Sequence, residues 1–477
     1  MHESTTPAFP SRRSFLRKAA TVTLSVSVLP SYLALGKTDK EGNVPPSKRI
    51  NLGCVGIGGR ASSVIPAVCA GGFAKPVAFC DVDFAARRVE KNMQAFPDVK
   101  QFADFRVMLD QMSKDIDAVT VCTPDHMHFV AALAAMQRGK HVYVEKPLTH
   151  SYREADLLMK AEKKYGVVTQ MGNQGHTSPG AAQFKNLVAK GIVKDIVKID
   201  AFKGASLWFM NKEKRISAFP PEEPKPETLD WDLWCGPAEM KPFNKLYHPF
   251  DWRAFYLYGN GMLGDWGAHI IDFAHDYLQL GLPTTIRAIE MADHNNVIFP
   301  LSSKLSMHFP ARGEGLPACD LTWRDGGEDC VPEVDQRFWD KDDQGKLQAP
   351  NLGKAGTLLH RKDGAYLVQR ASHSSASRVY PREKMLEFGE DMKAPKVELS
   401  HQEAFVQACL GNGKTESPFS ASAALTKVLL LGVICQYLKQ DLEFDPATER
   451  FKGNTAANDY LEGPKPRKGW EGFYQAI

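Results

Sequence analysis

A short glycine-rich turn constrains the fold of this chain more than any other feature. The apolar run from Ile50 to Val55 ends in a Gly-x-Gly-x-x-Ala loop, and a helical pattern follows from Ala61 to Ala70. Such a loop joins a buried strand to a helix whose N-terminus faces an anion, because its glycines permit the tight turn and let backbone N–H groups reach a pyrophosphate. The predicted dinucleotide-binding residues in this loop are Gly56, Ile57, Gly58, Gly59 and Arg60.

A carboxylate stands where this type of site needs one, about twenty residues beyond the loop. Asp81 follows a second apolar run, Val77 to Cys80, and there it can accept hydrogen bonds from an adenosine ribose. An ionised Asp81 would repel a 2′-phosphate, which favours NAD over NADP. Arg60, Arg87 and Arg88 are close enough in sequence to keep NADP open as the alternative.

The chain continues as an alternation of short apolar runs and amphipathic segments. The runs have the continuous apolar character of strands that are buried on both faces. They are Ile50 to Val55, Val77 to Cys80, Ala118 to Cys122, Val142 to Val144 and Val167 to Met171. This series predicts an α/β fold that begins with a doubly wound parallel sheet, a Rossmann domain over residues 49–172. The alternative is a glycine-rich turn in another α/β fold.

Two later loops extend the same site. Thr123, Pro124 and Asp125 close the third strand and are expected to cap the helix running through Phe129 to Gln137. Glu145 and Lys146 follow the strand from His141 to Val144, so that Lys146 is aimed at the cleft above the sheet. A solvated surface pair is the alternative for these two charges.

At this point the sequence resembles the Gfo/Idh/MocA family, the glucose–fructose oxidoreductase and inositol dehydrogenase group. The matching motifs occur in the family's order and are the residues 56–60, Cys80-Asp81, residues 123–128, Glu145-Lys146-Pro147-Leu148 and residues 264–272. The resemblance implies an α+β domain over 173–477 with a large open mixed or antiparallel sheet that covers the nicotinamide. The segment at about 208–253 is rich in aromatic residues, proline and charge, and as a long insertion it resembles the exported, Tat-dependent bacterial branch of the family. The resemblance also places His128 with the cofactor site, and Lys146, Asp265 and His269 at catalytic positions.

The last of these motifs has a chemical interpretation of its own. Asp265 and His269 are four residues apart in a segment that can be helical from Leu263 through Leu280, so they would share one helix face. With an ordinary pKa of ~6.5, the imidazole of His269 suits the removal of a hydroxyl proton as hydride leaves the same carbon. Asp265 would orient substrate, Lys146 would stabilise the developing alkoxide, and Gly264 and Gly267 would leave room for a ligand. A core histidine beside a capping aspartate is the alternative.

Substrate contacts are expected from two places. Asn173, Gln174 and His176 follow the fifth strand and offer amide and imidazole groups for sugar hydroxyls, with plain turn chemistry as the alternative. Trp252 and Arg253, together with Trp234, come from the aromatic-rich insertion, and aromatic faces pack well on sugar rings. Loop anchoring is the alternative there.

The N-terminus predicts export. Residues 11–17 contain the pair Arg12-Arg13 followed by Phe15-Leu16, and a moderately apolar stretch shorter than a membrane span runs from Ala19 to Leu35. We interpret residues 1–36 as a Tat signal peptide and 37–48 as a linker. This predicts a periplasmic or exported protein that uses the Tat machinery, anchored if the signal stays uncut; a basic cytosolic leader is the alternative.

Composition excludes some classes of partner. The net charge of +3 comes from 59 basic and 56 acidic residues without a basic stripe, which argues against nucleic acid. The nine cysteines have no zinc-site spacing, so no metal is expected, and Cys319 with Cys330 could form a disulfide in an oxidising compartment. The family's large sheet makes a homodimer or homotetramer the expected assembly.

Three functions fit these features. The first is an NAD(P)-dependent dehydrogenase that interconverts a secondary alcohol and a ketone on a sugar, glycoside or polyol. The second is a glycosidase that uses tightly held NAD for transient oxidation and elimination. The third is a non-catalytic binding protein on the same fold, which the presence of Lys146, Asp265 and His269 disfavours.

Overall fold

The computed structural model describes residue 44 and residues 48–204, 215–313, 315–327, 330–370, 373–475 and 477. The predicted signal at 1–36, nearly all of the linker and the start of the aromatic-rich insertion lie outside these residues.

The first sheet is parallel, six-stranded and ordered β3-β2-β1-β4-β5-β6, as a doubly wound Rossmann sheet requires. Its strands are β1 (Ile50–Val55), β2 (Ala74–Cys80), β3 (Lys100–Phe102), β4 (Ala118–Val121), β5 (His141–Val144) and β6 (Thr169–Met171). The predicted fold class is therefore confirmed. The sequence did not predict β3, because this short edge strand reads Lys-Gln-Phe and carries no apolar run.

Helices pack on both faces of this sheet: α1 (Ala61–Cys69), α2 (Glu90–Ala95), α3 (Phe105–Gln111), α4 (Asp125–Gln137) and α5 (Tyr152–Tyr165). A capping box of Ser151 and Glu154 starts α5, and Gly166 ends it in the left-handed conformation. The expected side-chain cap of α4 is wrong. Pro124 takes the N-cap position without a side-chain hydrogen bond, and the carboxylate of Asp125 bonds to Asn260 instead.

The second sheet has nine strands in the order β15-β14-β13-β7-β10-β9-β8-β16-β17. Its neighbours pair antiparallel except β7 with β10, so the sheet is mixed, as expected. The strands are β7 (Ile196–Lys203), β8 (Thr285–Ala292), β9 (Ser302–Phe309), β10 (Cys319–Asp325), β13 (Ala355–Arg361), β14 (Tyr366–Arg370), β15 (Arg378–Tyr380), β16 (Leu442–Asp445) and β17 (Arg450–Phe451). A separate hairpin is formed by β11 (Asp340–Lys341) and β12 (Leu347–Gln348).

The helices of the second half are α6 (Pro179–Ala189), α7 (Trp231–Cys235), α8 (Gly261–Ile270), α9 (Asp272–Tyr277), α10 (Arg382–Glu387), α11 (His401–Cys409), α12 (Phe419–Leu438), α13 (Thr455–Glu462) and α14 (Glu471–Gln475). Among the described helices, α12 is long and apolar enough to cross a membrane, but 72% of its apolar window is buried inside the protein. It serves as the central helix between the two sheets, in contact with α5 and α8.

Two local expectations are corrected. The predicted single helix from Leu263 to Leu280 is two helices, which meet at Ile271 and end before Gln279, a residue with a φ of 51°. Cys319 and Cys330 are both free and buried, so the expected disulfide is not formed.

Chain segments beyond residue 400 return to the first sheet. Helix α11 packs on α1, and the ring Nε2 of His401 lies 2.7 Å from the carbonyl oxygen of Met171 at the end of β6. The C-terminal tail brings Trp470 against Phe105 of α3. Helix α11 and the C-terminal tail therefore both pack against the first domain.

Candidate active site

A cavity of about 410 Å³ opens at the carboxyl edge of the first sheet. Its wall is built by residues that follow β1, β2, β3, β4 and β5, by Asp265 and Trp266 of α8, by the insertion and by the tail. In doubly wound folds this edge is where ligands bind.

The glycine turn forms one side of the cavity, and two of its glycines are sterically required. Gly56 has a φ of 74°, and a Cβ there would lie 2.9 Å from the backbone of Cys122. A Cβ on Gly58 would lie 2.7 Å from Cγ of Arg88. Gly59 and Arg60 continue the same wall, while Ile57 is buried beneath it. Because these glycines carry no side chain, the backbone of the turn lies open to the cavity, where its N–H groups can reach the phosphates of a dinucleotide.

Asp81 stands beside this turn. Its Oδ2 accepts a hydrogen bond from the backbone N–H of Ile57 at 3.0 Å, and its Oδ1 lies 3.8 Å from Nη2 of Arg88. Burial raises the pKa of Asp81, and the charge of Arg88 opposes that rise. The carboxylate of Asp81 is placed to accept hydrogen bonds from a ribose, which fits NAD. The guanidinium of Arg88 lies beside it and could pair with a 2′-phosphate, so the site also fits NADP.

Lys146 and Asp265 meet on the cavity wall although 119 residues separate them. The ammonium of Lys146 forms an ion pair with Oδ1 of Asp265, and Nε of Arg253 lies 3.7 Å from the same oxygen. One partner comes from the end of β5 and the other from α8. The two domains therefore contribute opposite charges to one point.

The glycines of the α8 motif serve packing, which corrects the expectation that they leave room for a ligand. A Cβ on Gly267 would lie 2.7 Å from Cδ2 of Leu429 in α12, and one on Gly264 would lie 2.2 Å from Cβ of Asn260. Close approach of α8 to α12 is what holds Asp265 at the cavity.

His269 lies one helical turn beyond Asp265 and is 6% exposed. Its ring centroid is 4.3 Å from that of His373, and its Nδ1 has no hydrogen-bond partner among the described residues. Burial, then the charge of Lys146, lowers the pKa of His269 well below its usual 6.5. The assumption of an ordinary pKa is therefore wrong, and the ring is neutral.

Several other buried polar atoms near the end of β6 and on α8 lack partners within the described part of the chain. They are Nδ2 and Oδ1 of Asn173, Oε1 of Gln174 and Nε1 of Trp266. Burying such groups unpaired is costly, so most native proteins satisfy them. Asn173 and Gln174 are not among the residues that line the cavity, so their expected contact with substrate stays a prediction.

The remaining predicted residues divide into two groups. Thr123, Pro124, Glu145, Trp252 and Arg253 line the cavity, as do most residues of the glycine turn. The carboxylate of Glu145 accepts hydrogen bonds from Nε of Arg60 at 3.3 Å and from Nε2 of Gln174 at 3.1 Å. The guanidinium of Arg253 lies 4.1 Å above the ring of Trp252.

His128 and His176 contact protein groups instead. The ring nitrogens of His128 lie 2.8 Å and 2.9 Å from the carbonyl oxygens of Pro147 and Thr123, which fastens two loops of the site. Those of His176 lie 2.8 Å and 3.7 Å from carboxylate oxygens of Asp272 and Asp276. Neither ring lines the cavity, so both stabilise the segments around it through these contacts.

The cavity-lining residues that sequence reasoning did not assign to the site include Asp125, Trp266 and Trp470. Asp125 is 3% exposed, and its Oδ2 accepts hydrogen bonds from N and Nδ2 of Asn260 at 3.1 and 3.2 Å. Burial and then the charge of Asp265 raise its pKa to about 7. The Thr-Pro-Asp motif was a signal for Asp125, whereas nothing local marks Trp470.

Two family models match the chain. An oxidoreductase-family model described as an NAD-binding Rossmann fold covers residues 50–173, and the C-terminal alpha/beta domain model of the same family covers residues 180–291. The chain belongs to the Gfo/Idh/MocA family. Membership in Gfo/Idh/MocA agrees with the glycine turn, the mixed second sheet and the meeting of Lys146 with Asp265.

Curated relatives match over shorter stretches. A levoglucosan dehydrogenase from Pseudarthrobacter phenanthrenivorans is 27% identical over 173 residues, which is 36% of this chain and 35% of that protein. The NADP-dependent scyllo-inositol 2-dehydrogenase of Bacillus subtilis is 30% identical over 111 residues, 23% of this chain and 30% of that enzyme. The chain thus spans about a third of these Gfo/Idh/MocA relatives.

Solved structures share the fold. The WlbA dehydrogenase from Bordetella pertussis, solved with NADH and UDP-GlcNAcA, superposes with a TM-score of 0.55 at 14% identity and covers 84% of this chain and 100% of its own. At that identity the likeness concerns the Gfo/Idh/MocA fold alone.

Proposed function

We propose that the protein is an NAD(P)-dependent oxidoreductase that transfers hydride between the nicotinamide and a secondary-alcohol carbon of a sugar, glycoside or polyol. The observation that carries this proposal is the ion pair of Lys146 with Asp265 on the wall of the cavity that begins at the glycine turn. A cation and a dinucleotide cradle in one cavity are what alcohol oxidation by a nicotinamide needs.

The residues present fit the cofactor. Gly56 and Gly58 would approach the pyrophosphate, Asp81 would hold the adenosine ribose, and Lys146 lies three strands away, after β5. Neighbouring strands are spaced ~4.8 Å, so Asp81 and Lys146 lie on the order of 14 Å apart along the sheet edge. When bound, the nicotinamide would supply the hydride acceptor or donor.

Each side chain then has one task. The ammonium of Lys146 stabilises the negative charge that develops on the alcohol oxygen, and Asp265 fixes the direction of that ammonium. Burial lowers the pKa of His269 well below 6.5, which keeps the ring neutral and leaves a nitrogen lone pair for the hydroxyl proton, but makes the imidazole a weaker base than usual. The atom to which we assign that acceptance is Nδ1, which has no partner among the described residues.

The proposed substrate class is supported by buried polar atoms that lack partners among the described residues. The amide of Asn173, Oε1 of Gln174 and Nε1 of Trp266 offer both donors and acceptors, which suits a compound with several hydroxyls. Trp266 lines the cavity together with Arg253, whose guanidinium lies over the Trp252 ring. The relatives named for levoglucosan and scyllo-inositol support this choice, since both names denote polyhydroxylated rings.

The test is a panel of sugars, glycosides and polyols incubated with the protein and NAD or NADP, followed by absorbance of the reduced nicotinamide and by product analysis. Net reduction coupled to ketone formation is the expected result. Cleavage of a glycoside without net reduction would assign the NAD-dependent glycosidase, and dinucleotide binding with neither reaction would assign a binding protein.

We further propose export through the Tat pathway and assembly as a homodimer or homotetramer. The pair Arg12-Arg13 ahead of an apolar stretch supports export. Cell fractionation of the full chain beside a variant carrying Arg12→Lys and Arg13→Lys tests it, with the native chain expected outside the cytoplasm and the variant retained. Light scattering of the purified protein tests the assembly, and a monomeric mass would contradict it.

A further inference from the structure

We propose that the C-terminal tail, residues 464–475, is part of the dinucleotide site and that Trp470 supplies the surface against which the adenine base lies. This inference rests on the proposed function, because it requires that the cavity takes NAD(P).

The position of Trp470 along the sheet edge selects the adenosine end. Trp470 lines the cavity together with Asp81 after β2 and with residues 103–105 after β3. Lys146 follows β5, which is four strand positions from β3. At ~4.8 Å per position, the two ends of the cavity are separated by roughly 19 Å. A dinucleotide that crosses the glycine turn with its nicotinamide at Lys146 therefore brings its adenosine to Trp470.

The Trp470 ring is preorganised. Its centroid lies 6.0 Å from those of Phe105 and Phe473, and the guanidinium of Arg106 lies 4.3 Å over one face. The ring is 3% exposed, so a small part of it meets the cavity, and the base would lie against that part. Arg106 is itself held by Asp104 at 2.7 Å. A fixed aromatic surface binds a base without ordering a side chain at the moment of binding.

The tail is fastened on both sides of the cavity. Arg467 binds the insertion, donating to the carbonyl of Gly236 at 2.9 Å and pairing with Oδ1 of Asp232 at 2.7 Å. Tyr474 binds the first domain, donating its hydroxyl to Oε1 of Glu154 at 2.6 Å. The insertion contributes Leu233 and Trp234 to the same cavity wall. The tail therefore joins the two walls between which the adenosine would lie.

The experiment compares three ligands by calorimetric titration of the full chain: NAD, ADP-ribose, and nicotinamide mononucleotide, which lacks the adenosine. Trp470→Ala is expected to weaken NAD and ADP-ribose about tenfold, since contact of a base with an aromatic ring is a major part of such binding. Nicotinamide mononucleotide should bind the variant and the native chain within about twofold of each other. Trp339→Ala is the matched control, because Trp339 lies outside the cavity and the tail, where its Nε1 donates to the carbonyl of Val334 at 2.8 Å, and its loss should leave all three affinities unchanged.

The outcomes separate the two proposals. If the native chain binds none of NAD, NADP and ADP-ribose, the proposed function fails. If it binds ADP-ribose and Trp470→Ala binds ADP-ribose as the native chain does, or if Trp339→Ala weakens ADP-ribose as much as Trp470→Ala, the role of Trp470 is overturned. If Trp470→Ala does not fold, Trp470→Leu replaces it, because leucine keeps an apolar side chain against Phe105 while removing the aromatic ring. The same ligand affinities are then compared with those of the native chain.

Discussion

Two buried histidines near the junction of α8 and α9 show how neighbouring charge decides what a histidine does. His176 and His269 are 4% and 6% exposed. His176 faces two carboxylates, Asp272 and Asp276; burial alone would lower its pKa, but these charges raise it to about 9. Burial and then the charge of Lys146 lower the pKa of His269 well below 6.5. One ring is a cation paired with buried carboxylates, whereas the other is neutral and is the base that we propose.

The largest effect is expected at the neutral histidine and its cationic neighbour. Lys146→Ala and His269→Ala should each lower kcat by roughly 10³-fold, because each removes a group that acts on the reacting oxygen. The affinity for NAD should stay within a few-fold, since Gly56, Gly58 and Asp81 are untouched. Initial rates of nicotinamide reduction, with NAD affinity from titration, measure both quantities. Full activity in either variant would refute the assigned roles.

The framework histidine should show the opposite pattern. His176→Gln leaves Asp272 buried without its cation and is expected to lower the free energy of unfolding by about 3–5 kcal/mol. At a temperature where the variant is folded, kcat should stay within a few-fold of the native value. Urea unfolding and initial rates check this together. Lost turnover with unchanged stability would instead assign His176 to substrate binding.

The pH dependence of that stability loss sharpens the comparison. The folded-state pKa of His176, about 9, lies above its ordinary 6.5, so its stabilisation is complete below pH 6.5 and is lost as the pH rises through 9. The difference in unfolding free energy between the native chain and His176→Gln should shrink by on the order of 3 kcal/mol between pH 6 and pH 10. Unfolding curves at the two pH values measure this. An equal difference in unfolding free energy at pH 6 and pH 10 would contradict it.

The smallest effect concerns Asp125. Burial and Asp265 raise its folded-state pKa to about 7, so the folded protein holds a proton that the unfolded chain releases near pH 4. Native stability should therefore fall as the pH rises between those values, and Asp125→Asn should remove that part of the slope. The Tm of the variant relative to the native chain is expected to rise by a few degrees from pH 5 to pH 8. An unchanged Tm difference would show that Asp125 is ionised throughout.

Much of the first domain could be predicted because its signals are local. The glycine turn, Asp81 and the strand that delivers Lys146 are each short patterns with a single structural meaning. The spacing of Asp265 and His269 also predicted their shared helix, although not the break at Ile271.

The remaining features depend on contacts between distant segments. His176 meets Asp272 across 96 residues, and Trp470 reaches Phe105 from the end of the chain. Gly267 faces Leu429, which no pattern near the motif indicates. Protonation states such as that of His269 are set by such neighbours, so the pKa could not be predicted before the packing was known.

The most direct test of the central claim is a crystal structure of the protein with NAD bound. The claim predicts the pyrophosphate at the turn of Gly56 and Gly58, the nicotinamide ring beside the pair of Lys146 and Asp265, and the adenosine at the opposite end of the cavity. A nicotinamide that lies away from Lys146, or a dinucleotide bound outside this cavity, would contradict it.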